Sequence, residues 1–162
     1  MRNNFAVAFG VGLAAVAILV GGILYMQRGD AIDLPGKILK VRTAPLDENS
    51  TIAVLDFRIT NPSNILLEVL QLTVEMEDAA GKTATGSVIG ETDAKRVFEA
   101  VPSLGPKFLT SLGMKQRIAP HVSGDYMVAA RFQAPVAQVD ARKKFILHID
   151  EADGKSFEYA ER

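Results

Sequence analysis

The longest uncharged run in the chain lies near its start. Phe5 to Met26 are 22 consecutive residues without a charged side chain. A helix of that length rises about 33 Å, enough to cross the ~30 Å hydrocarbon core of a bilayer. A cleaved secretory signal has an apolar region of only about 7–15 residues that ends in a small-x-small site. Ala15-Val16-Ala17 has that form but lies in mid-run, so the sequence predicts an uncleaved transmembrane anchor.

The rest of the chain is organised around this run. We expect a short tail at residues 1–4, a transmembrane helix at 5–26, a polar linker at 27–36 and one β-sandwich domain at 37–162. The last segment is long enough for one domain with its own core and too short for two of ordinary size.

Charges on the two sides of the run nearly balance. Arg2 precedes the run, and Asp30 and Asp33 partly offset the basic charges that follow it. Those basic residues are Arg28, Lys37, Lys40 and Arg42. The positive-inside rule therefore gives little guidance. A short N-terminal tail and the absence of cysteine both fit a signal anchor. We expect a single-pass protein of the cell membrane with an extracytoplasmic domain.

Small residues recur within the run. Ala6, Gly10 and Ala14 are spaced by four, a pattern that permits close helix contact. Small residues are common in transmembrane helices, so the favoured interpretation gives them no specific role, and a weak homo-oligomer through the transmembrane helix is the alternative.

The overall composition excludes several function classes. Eighteen basic and 19 acidic residues give a net charge of −1, so no long-range field attracts nucleic acid, and no nucleic-acid partner is expected. The chain has no cysteine, which excludes a disulfide framework, a thiolate metal site, a thiol nucleophile and a lipidated N-terminal cysteine.

Alternation of apolar and polar residues dominates the domain. It predicts inward faces in several strands: Ala53 to Ile59, Leu70 to Met76, Tyr126 to Phe132, Phe145 to Ile149, and Phe157 with Tyr159. Glu68 has the parity of the buried face, which predicts a bulge or strand start near Leu66 to Glu68. About seven strands with one helical interruption predict a mainly β, immunoglobulin-like antiparallel β-sandwich.

The turns between strands have structural explanations. Asn61, Pro62 and Asn64 lie at a predicted corner, because proline cannot donate to a central ladder and asparagine stabilises bends; a ligand site on the two asparagines is the alternative. "EDAAGK" and "DEADGK" both predict hairpin turns. The acidic residues of the second lack the spacing of a calcium loop.

Residues 91–120 differ in character from the strands. A helix is predicted from Ala94 to Val101, capped by Thr92 or Asp93 and stopped by Pro102. The apolar residues of this insertion are expected to cover the end of the sandwich. A partner surface is the alternative, formed by Val97, Phe98, Phe108 and Leu112.

The domain shows no recognisable catalytic motif. His121 and His148 have no partner at metal-ligand spacing, and no phosphate loop, nucleophile elbow or zinc-binding helix motif occurs. We therefore predict a protein that is not an enzyme, with no catalytic residues, no cofactor and no metal.

Two motifs carry a family resemblance. Phe57 to Pro62 has the form Phe-x-x-x-Asn-Pro, and Leu67 to Val74 the form Leu-x-Val-x-x-Leu-x-Val. Together with Arg117 to Phe132, they resemble the water-stress and late-embryogenesis-abundant (LEA) type 2 domain, a pattern that bacterial envelope modules share. The resemblance implies a β-sandwich linked to stress tolerance and without demonstrated catalytic residues. The helical insertion and Asn64, one residue later than the family's second asparagine, depart from the pattern.

These observations predict a non-enzymatic, membrane-anchored module for protein binding or stress protection at the cell envelope, with other envelope proteins as partners. Two alternatives remain open. One is a domain that binds lipid or another apolar small molecule between the sheets or beneath residues 97–112. The other is an accessory subunit of a membrane complex.

Overall fold

The computed structural model describes Phe9, residues 12–21 and residues 34–162, and the chain forms two compact units, Met1–Ile32 and Asp33–Arg162. In the first unit, residues 12–21 are helical. Within the described residues, no helix is both long enough and apolar enough to span a bilayer. The remainder of the predicted anchor at 5–26, the tail at 1–4 and residues 27–33 of the predicted linker lie outside the described residues. The predicted domain start at residue 37 is wrong, because Leu34 is buried in the core and Gly36 begins the first strand.

The second unit consists of antiparallel strands with two short helices. The strands are β1 (Gly36–Asp47), β2 (Ser50–Thr60), β3 (Leu67–Glu77), β4 (Thr83–Ile89), β5 (Arg117–Ile118), β6 (Ser123–Phe132), β7 (Lys144–Glu151) and β8 (Ser156–Ala160). The helices are α1 (Glu91–Ala100) and α2 (Val136–Asp140), with a 3₁₀ turn at Pro102–Leu104. The sequence pattern did not indicate α2.

Strand β4 joins two sheets into a sandwich. The order is β1-β2-β6-β4-β3-β7-β8, with β5 paired to β3. The first half of β4 pairs with β3, where Val74 lies opposite Gly86, and the second half pairs with β6, where Ser87 lies opposite Arg131. The inward faces of both sheets meet in one buried core. The prediction of a β-sandwich is confirmed.

Gly86 lies at the point where β4 changes sheets. A Cβ atom on this residue would lie 2.7 Å from Cζ of Phe132 and 3.0 Å from Cβ of Ala130. Glycine is required here because the strand bends against the core, not because of an unusual φ.

The predicted alternation is confirmed in β2, β6 and β7. Tyr126 packs at the edge of the core. The other inward residues are buried in the core: Ala53, Leu55, Phe57, Ile59, Val128, Ala130, Phe132, Phe145, Leu147 and Ile149. Tyr159 is buried and Phe157 is partly buried beside them.

In β3 the predicted face is wrong at one position. Leu70 is 56% exposed, whereas Val69 and Leu72 are buried, because the pairing with β7 shifts register between Val69 and Gln71. This bulge inverts the parity of the first part of the strand, so Glu68 points outward and forms an ion pair with Arg117 at 2.8 Å. Of the two alternatives predicted near Leu66 to Glu68, the strand start is confirmed, because β3 begins at Leu67, and the bulge lies about two residues later.

The helical insertion covers a sheet face. A second apolar cluster joins Ala94 and Leu104 of the insertion to Ile52, Val54 and residues of β1 and β6. The prediction that the insertion covers the end of the sandwich is therefore wrong, because β2 is apolar on its outer face too and that face needs cover. The predicted cap is also wrong: Gly90 is the N-cap and makes no side-chain hydrogen bond. The helix stops before Pro102, as predicted.

The close contact at Gly86 makes a stability prediction. We expect Gly86→Ala to lower the free energy of unfolding by about 1–3 kcal/mol, because the added methyl overlaps the Phe132 ring. Gly113→Ala is the matched control, since a Cβ there meets nothing within 4 Å. Thermal unfolding of the full chain in mild detergent, followed by circular dichroism, measures both. Equal stability of the two variants would contradict the role given to Gly86.

Candidate binding surface

An open cleft of about 560 Å³ lies between α1 and residues 105–110, which we call the Phe108 loop. Glu91, Lys95 and Phe98 line one side, and Lys107 and Phe108 line the other. Phe108 is 80% exposed. The cleft thus combines charged side chains with one large aromatic ring in solvent.

Arg42 fixes the start of the Phe108 loop to the sheet. Its Nη1 donates hydrogen bonds of 3.0 Å to the carbonyl oxygens of Leu104 and Pro106, and its Nη2 donates to both carboxylate oxygens of Asp56 at 2.9 and 3.0 Å. The guanidinium also lies 5.0 Å from the ring centroid of Phe98. Both charged side chains are largely buried, so this pair is less screened than a surface salt bridge.

Glu91 fixes the other end of the loop. It accepts hydrogen bonds of 2.8 Å from Lys107 Nζ and from the backbone N–H of Ser111, and Lys107 also donates to the carbonyl oxygen of Leu109 at 2.7 Å. Burial raises the pKa of Glu91, but the hydrogen bonds from Lys107 and Ser111 outweigh it and lower the pKa to about 2. The carboxylate is therefore ionised at neutral pH.

The four residues of the predicted partner surface do not share one environment. Phe108 is exposed, whereas Val97 and Phe98 are partly buried against the outer apolar cluster. Leu112 is only 2% exposed and belongs to the core between the sheets. Its position follows from Thr110 to Leu112 running beside β6, where Leu112 N–H donates to Met127 O at 2.8 Å. Leu112 therefore cannot contribute to a surface contact.

The predicted corner is a buried hydrogen-bonding centre. Asn61 is fully buried; its Nδ2 donates to the carbonyl oxygens of Ile65 and Ile118 at 2.9 and 3.1 Å, and its Oδ1 accepts from Ser63 Oγ at 2.7 Å. These contacts hold the β2–β3 loop against β5. Pro62 is exposed beside it.

Asn64 lies on the surface of the same loop. Its Oδ1 is 2.9 Å from Nε2 of His121, which ties the loop to residues 119–122. The contacts of Asn61 and Asn64 account for both asparagines without a ligand.

A smaller, mainly apolar cavity lies where β4 leaves β3. It measures about 290 Å³, and its apolar lining is Leu72, Val88, Ile89, Leu112 and Met114. Pairing between β3 and β4 ends at Val74, so the sheets separate beyond that point and the cavity reaches Leu72 and Leu112 of the core.

The two predicted hairpin turns are confirmed. Gly81 and Gly154 have φ angles of 82° and 85°, as tight turns require. In the second turn Glu151 is buried, and burial raises the pKa of its carboxyl group. Among the described residues, no three His, Asp or Glu side chains are grouped so that they could hold a metal ion.

Comparison with known proteins leaves the family undefined. No family model matches the chain, and no curated protein matches it. It is similar to a solved structure designated ApaA from Bordetella pertussis, with 14% identity, 80% of this chain and 89% of that chain covered, and a TM-score of 0.38. An uncharacterised β-sandwich protein from Clostridium difficile shares 14% identity over 82% and 88% of the two chains, with a TM-score of 0.41. The resemblance to the LEA type 2 domain therefore stays a prediction.

The sequence pattern missed the residues that anchor the loop. Asp56 and Arg42 are 14 residues apart and meet only because β1 and β2 pair as a hairpin. Glu91 is the first residue of α1 and Lys107 follows the 3₁₀ turn, so the two meet only once the insertion has folded. The one available signal was Asp56, an acidic residue on the outer face of β2 beside apolar Val54.

The lowered pKa of Glu91 makes a pH prediction. Its folded pKa of about 2 lies below the ordinary value of 4.5, so its contribution to stability is complete above about pH 4.5 and is lost as the pH falls towards 2. We expect Glu91→Gln to lower the free energy of unfolding at pH 7 by ~1–2 kcal/mol, after allowance for partial exposure.

Unfolding of the full chain in mild detergent between pH 7 and pH 2 measures this effect. The curves of Glu91→Gln and the unsubstituted chain should converge at the acid end. Glu99→Gln, on an exposed position of the same helix, is the control and should change stability by less than ~0.5 kcal/mol. A difference between Glu91→Gln and the unsubstituted chain that is independent of pH would contradict the assignment.

Proposed function

We propose that this chain is a non-enzymatic, membrane-tethered β-sandwich module that binds another protein through the Phe108 loop. The observation that carries the proposal is that Phe108 is 80% exposed on a loop whose backbone is fixed on both sides. Aromatic side chains, phenylalanine among them, are enriched in protein interfaces relative to the rest of the protein surface.

The fixed loop reduces the entropic cost of binding. Arg42 holds the carbonyl groups of Leu104 and Pro106, and Glu91 holds Lys107 and the N–H of Ser111. A loop that is already ordered loses little conformational freedom when a partner covers its aromatic ring. The charged side chains around Phe108 supply a polar rim, which is typical of protein interfaces.

The strand order supports an immunoglobulin-like module. β1, β2 and β6 correspond to strands A, B and E of that fold, β3, β7 and β8 to strands C, F and G, and β4 to a fourth strand shared by the two sheets. The LEA type 2 resemblance is part of the same proposal. Phe57 and Asn61, which carry its first motif, are both fully buried, as structural motif residues would be. Stress protection is then one biological use of the module.

The uncharged run from Phe5 to Met26 supports the tether. We place the domain outside the cytoplasm, on the surface of the cell membrane, where other envelope proteins are its partners. In one form of this proposal the chain is an accessory subunit of a membrane complex. Ala6, Gly10 and Ala14 would allow a weak homo-oligomer through the tether.

Site-specific photocrosslinking tests the protein-binding proposal. A photoreactive phenylalanine analogue replaces Phe108 in the full chain, expressed in its native cells, and the same analogue at exposed Glu158 on β8 is the control. We expect a discrete crosslinked product from position 108 and none from position 158. A further substitution, Glu91→Gln, should weaken the product, because the loop loses one of its two attachments. Equal crosslinking at the two positions would contradict the proposal.

A second candidate function is binding of an apolar small molecule in the cavity beside β4. The cavity lining is mainly apolar, as is typical of small-molecule binding sites, and it includes the core residues Leu72 and Leu112. If each non-hydrogen atom with its hydrogens takes ~30 Å³, a cavity of about 290 Å³ accommodates on the order of ten such atoms, the size of a short acyl chain.

Displacement of an environment-sensitive dye by decanoate tests this candidate. Val88→Trp fills the mouth of the cavity and should abolish saturable decanoate binding to the full chain in detergent. Leu39→Trp, at a similarly exposed position of β1 outside the cavity lining, should leave binding unchanged. Binding that survives Val88→Trp would place any apolar ligand elsewhere.

A further inference from the structure

We propose that one end of the sandwich, formed by residues 62–66 and 119–122, rests in the lipid–water interface of the membrane. We call these residues the apolar loop pair. The inference depends on the proposed tether, and its occupant is the bilayer surface.

The apolar loop pair exposes aliphatic side chains together. Ile65 and Leu66 are each 48% exposed and Val122 is 42% exposed, with Pro62 and Ala119 also at the surface. Aliphatic residues clustered at a loop tip are uncommon on a freely soluble surface and typical of a surface that contacts another apolar phase.

Hydrogen bonds from one buried residue hold the two loops together. Asn61 N–H donates to Val122 O at 2.9 Å, and its side chain donates to the carbonyl oxygens of Ile65 and Ala119 at 2.9 and 3.3 Å. The contact between Asn64 and His121 closes the same junction. The exposed aliphatic groups are therefore presented by an ordered scaffold, so insertion needs no refolding.

The chain enters the domain at this same end. Thr60, which immediately precedes Asn61, donates its N–H to the carbonyl oxygen of Pro35 at 2.8 Å. From Met26, the end of the proposed anchor, to Leu34, the first described residue of the domain, the chain advances eight residues. A fully extended segment of that length spans at most ~28 Å. The tether therefore limits how far this end can lie from the bilayer.

Two basic residues near the apolar loop pair each have an acidic partner, and the acidic turn at Asp150 to Asp153 lies beside Glu68, where Ala152 N–H donates to Glu68 O at 3.0 Å. Arg58 pairs with Asp125 at 2.6 Å, and Arg117 pairs with Glu68 at 2.8 Å. An interface that depended on anionic lipids would present unpaired basic residues. We therefore expect the contact to form on zwitterionic phosphatidylcholine and to persist in high salt, because it depends on burial of apolar surface.

The absence of native cysteine allows a direct test by spin labelling. Single substitutions Ile65→Cys, Val122→Cys, Glu48→Cys and Ala15→Cys are made in the full chain, labelled with a nitroxide and reconstituted into phosphatidylcholine nanodiscs. Relaxation by oxygen, which concentrates in lipid, is compared with relaxation by a water-soluble nickel chelate. Glu48, in the β1–β2 turn at the other end of β1, is the aqueous reference. Ala15 reports on the anchor itself.

We expect the oxygen-to-nickel ratio at positions 65 and 122 to exceed that at position 48 several-fold. Ratios at 65 and 122 equal to that at 48, with position 15 in hydrocarbon, would overturn the inference and leave the tether intact. Shielding of 65 and 122 from both reagents would indicate a protein contact and would also overturn it. An aqueous value at position 15 would refute the tether and the inference with it.

A variant pair tests whether the aliphatic groups cause the contact. Ile65→Ser combined with Leu66→Ser should move the nitroxide at position 122 towards the aqueous value. Phe108→Ser, which removes a more exposed apolar side chain outside the loop pair, should leave it unchanged. An unchanged ratio in the double variant, with a native circular dichroism spectrum, would contradict the inference.

Discussion

The sharing of β4 between two sheets is the constraint on which the rest of the domain depends. Because its first half pairs with β3 and its second half with β6, the chain closes over a single core instead of forming one open sheet. Only glycine fits at position 86, where β4 changes sheets, because the Phe132 ring occupies the space that a Cβ atom would need. The same departure of β4 from β3 leaves the small apolar cavity, so closure of the fold and the candidate ligand site have one origin.

The second structural requirement comes from β2, which is apolar on both faces over its first half. Its inner residues fill the core, whereas Ile52 and Val54 need a separate cover. The insertion supplies that cover, and the Arg42–Asp56 pair fixes it to the sheet while positioning the Phe108 loop. Desolvation offsets much of the attraction in a buried ion pair, so we assign this pair a role in geometry more than in stability. Here that geometry keeps an aromatic ring in solvent, which connects the packing of the sheet with the proposed function.

The two proposed contacts use separate regions of the domain. The Phe108 loop lies on the outer face of the β1-β2-β6 sheet, whereas the apolar loop pair lies at the end where the chain enters. Both follow the same principle: buried polar groups order a loop so that its apolar side chains are presented without further loss of conformational entropy. A module that rests on lipid at one end and binds protein on a face would keep its partner at a fixed height above the membrane.

The sequence by itself determined the β-sandwich, its inward faces in β2, β6 and β7, its hairpin turns and the helix that stops before Pro102. These features depend on local rules, namely a period of two in strands and the dihedral preferences of glycine and proline. Tertiary structure alone decided the place of the bulge that exposes Leu70, the burial of Leu112 beside β6, the cover of the sheet face by α1 and the pairing of Arg42 with Asp56. Each of these depends on which strands become neighbours, and alternation along one strand carries no information about the residue that lies across from it.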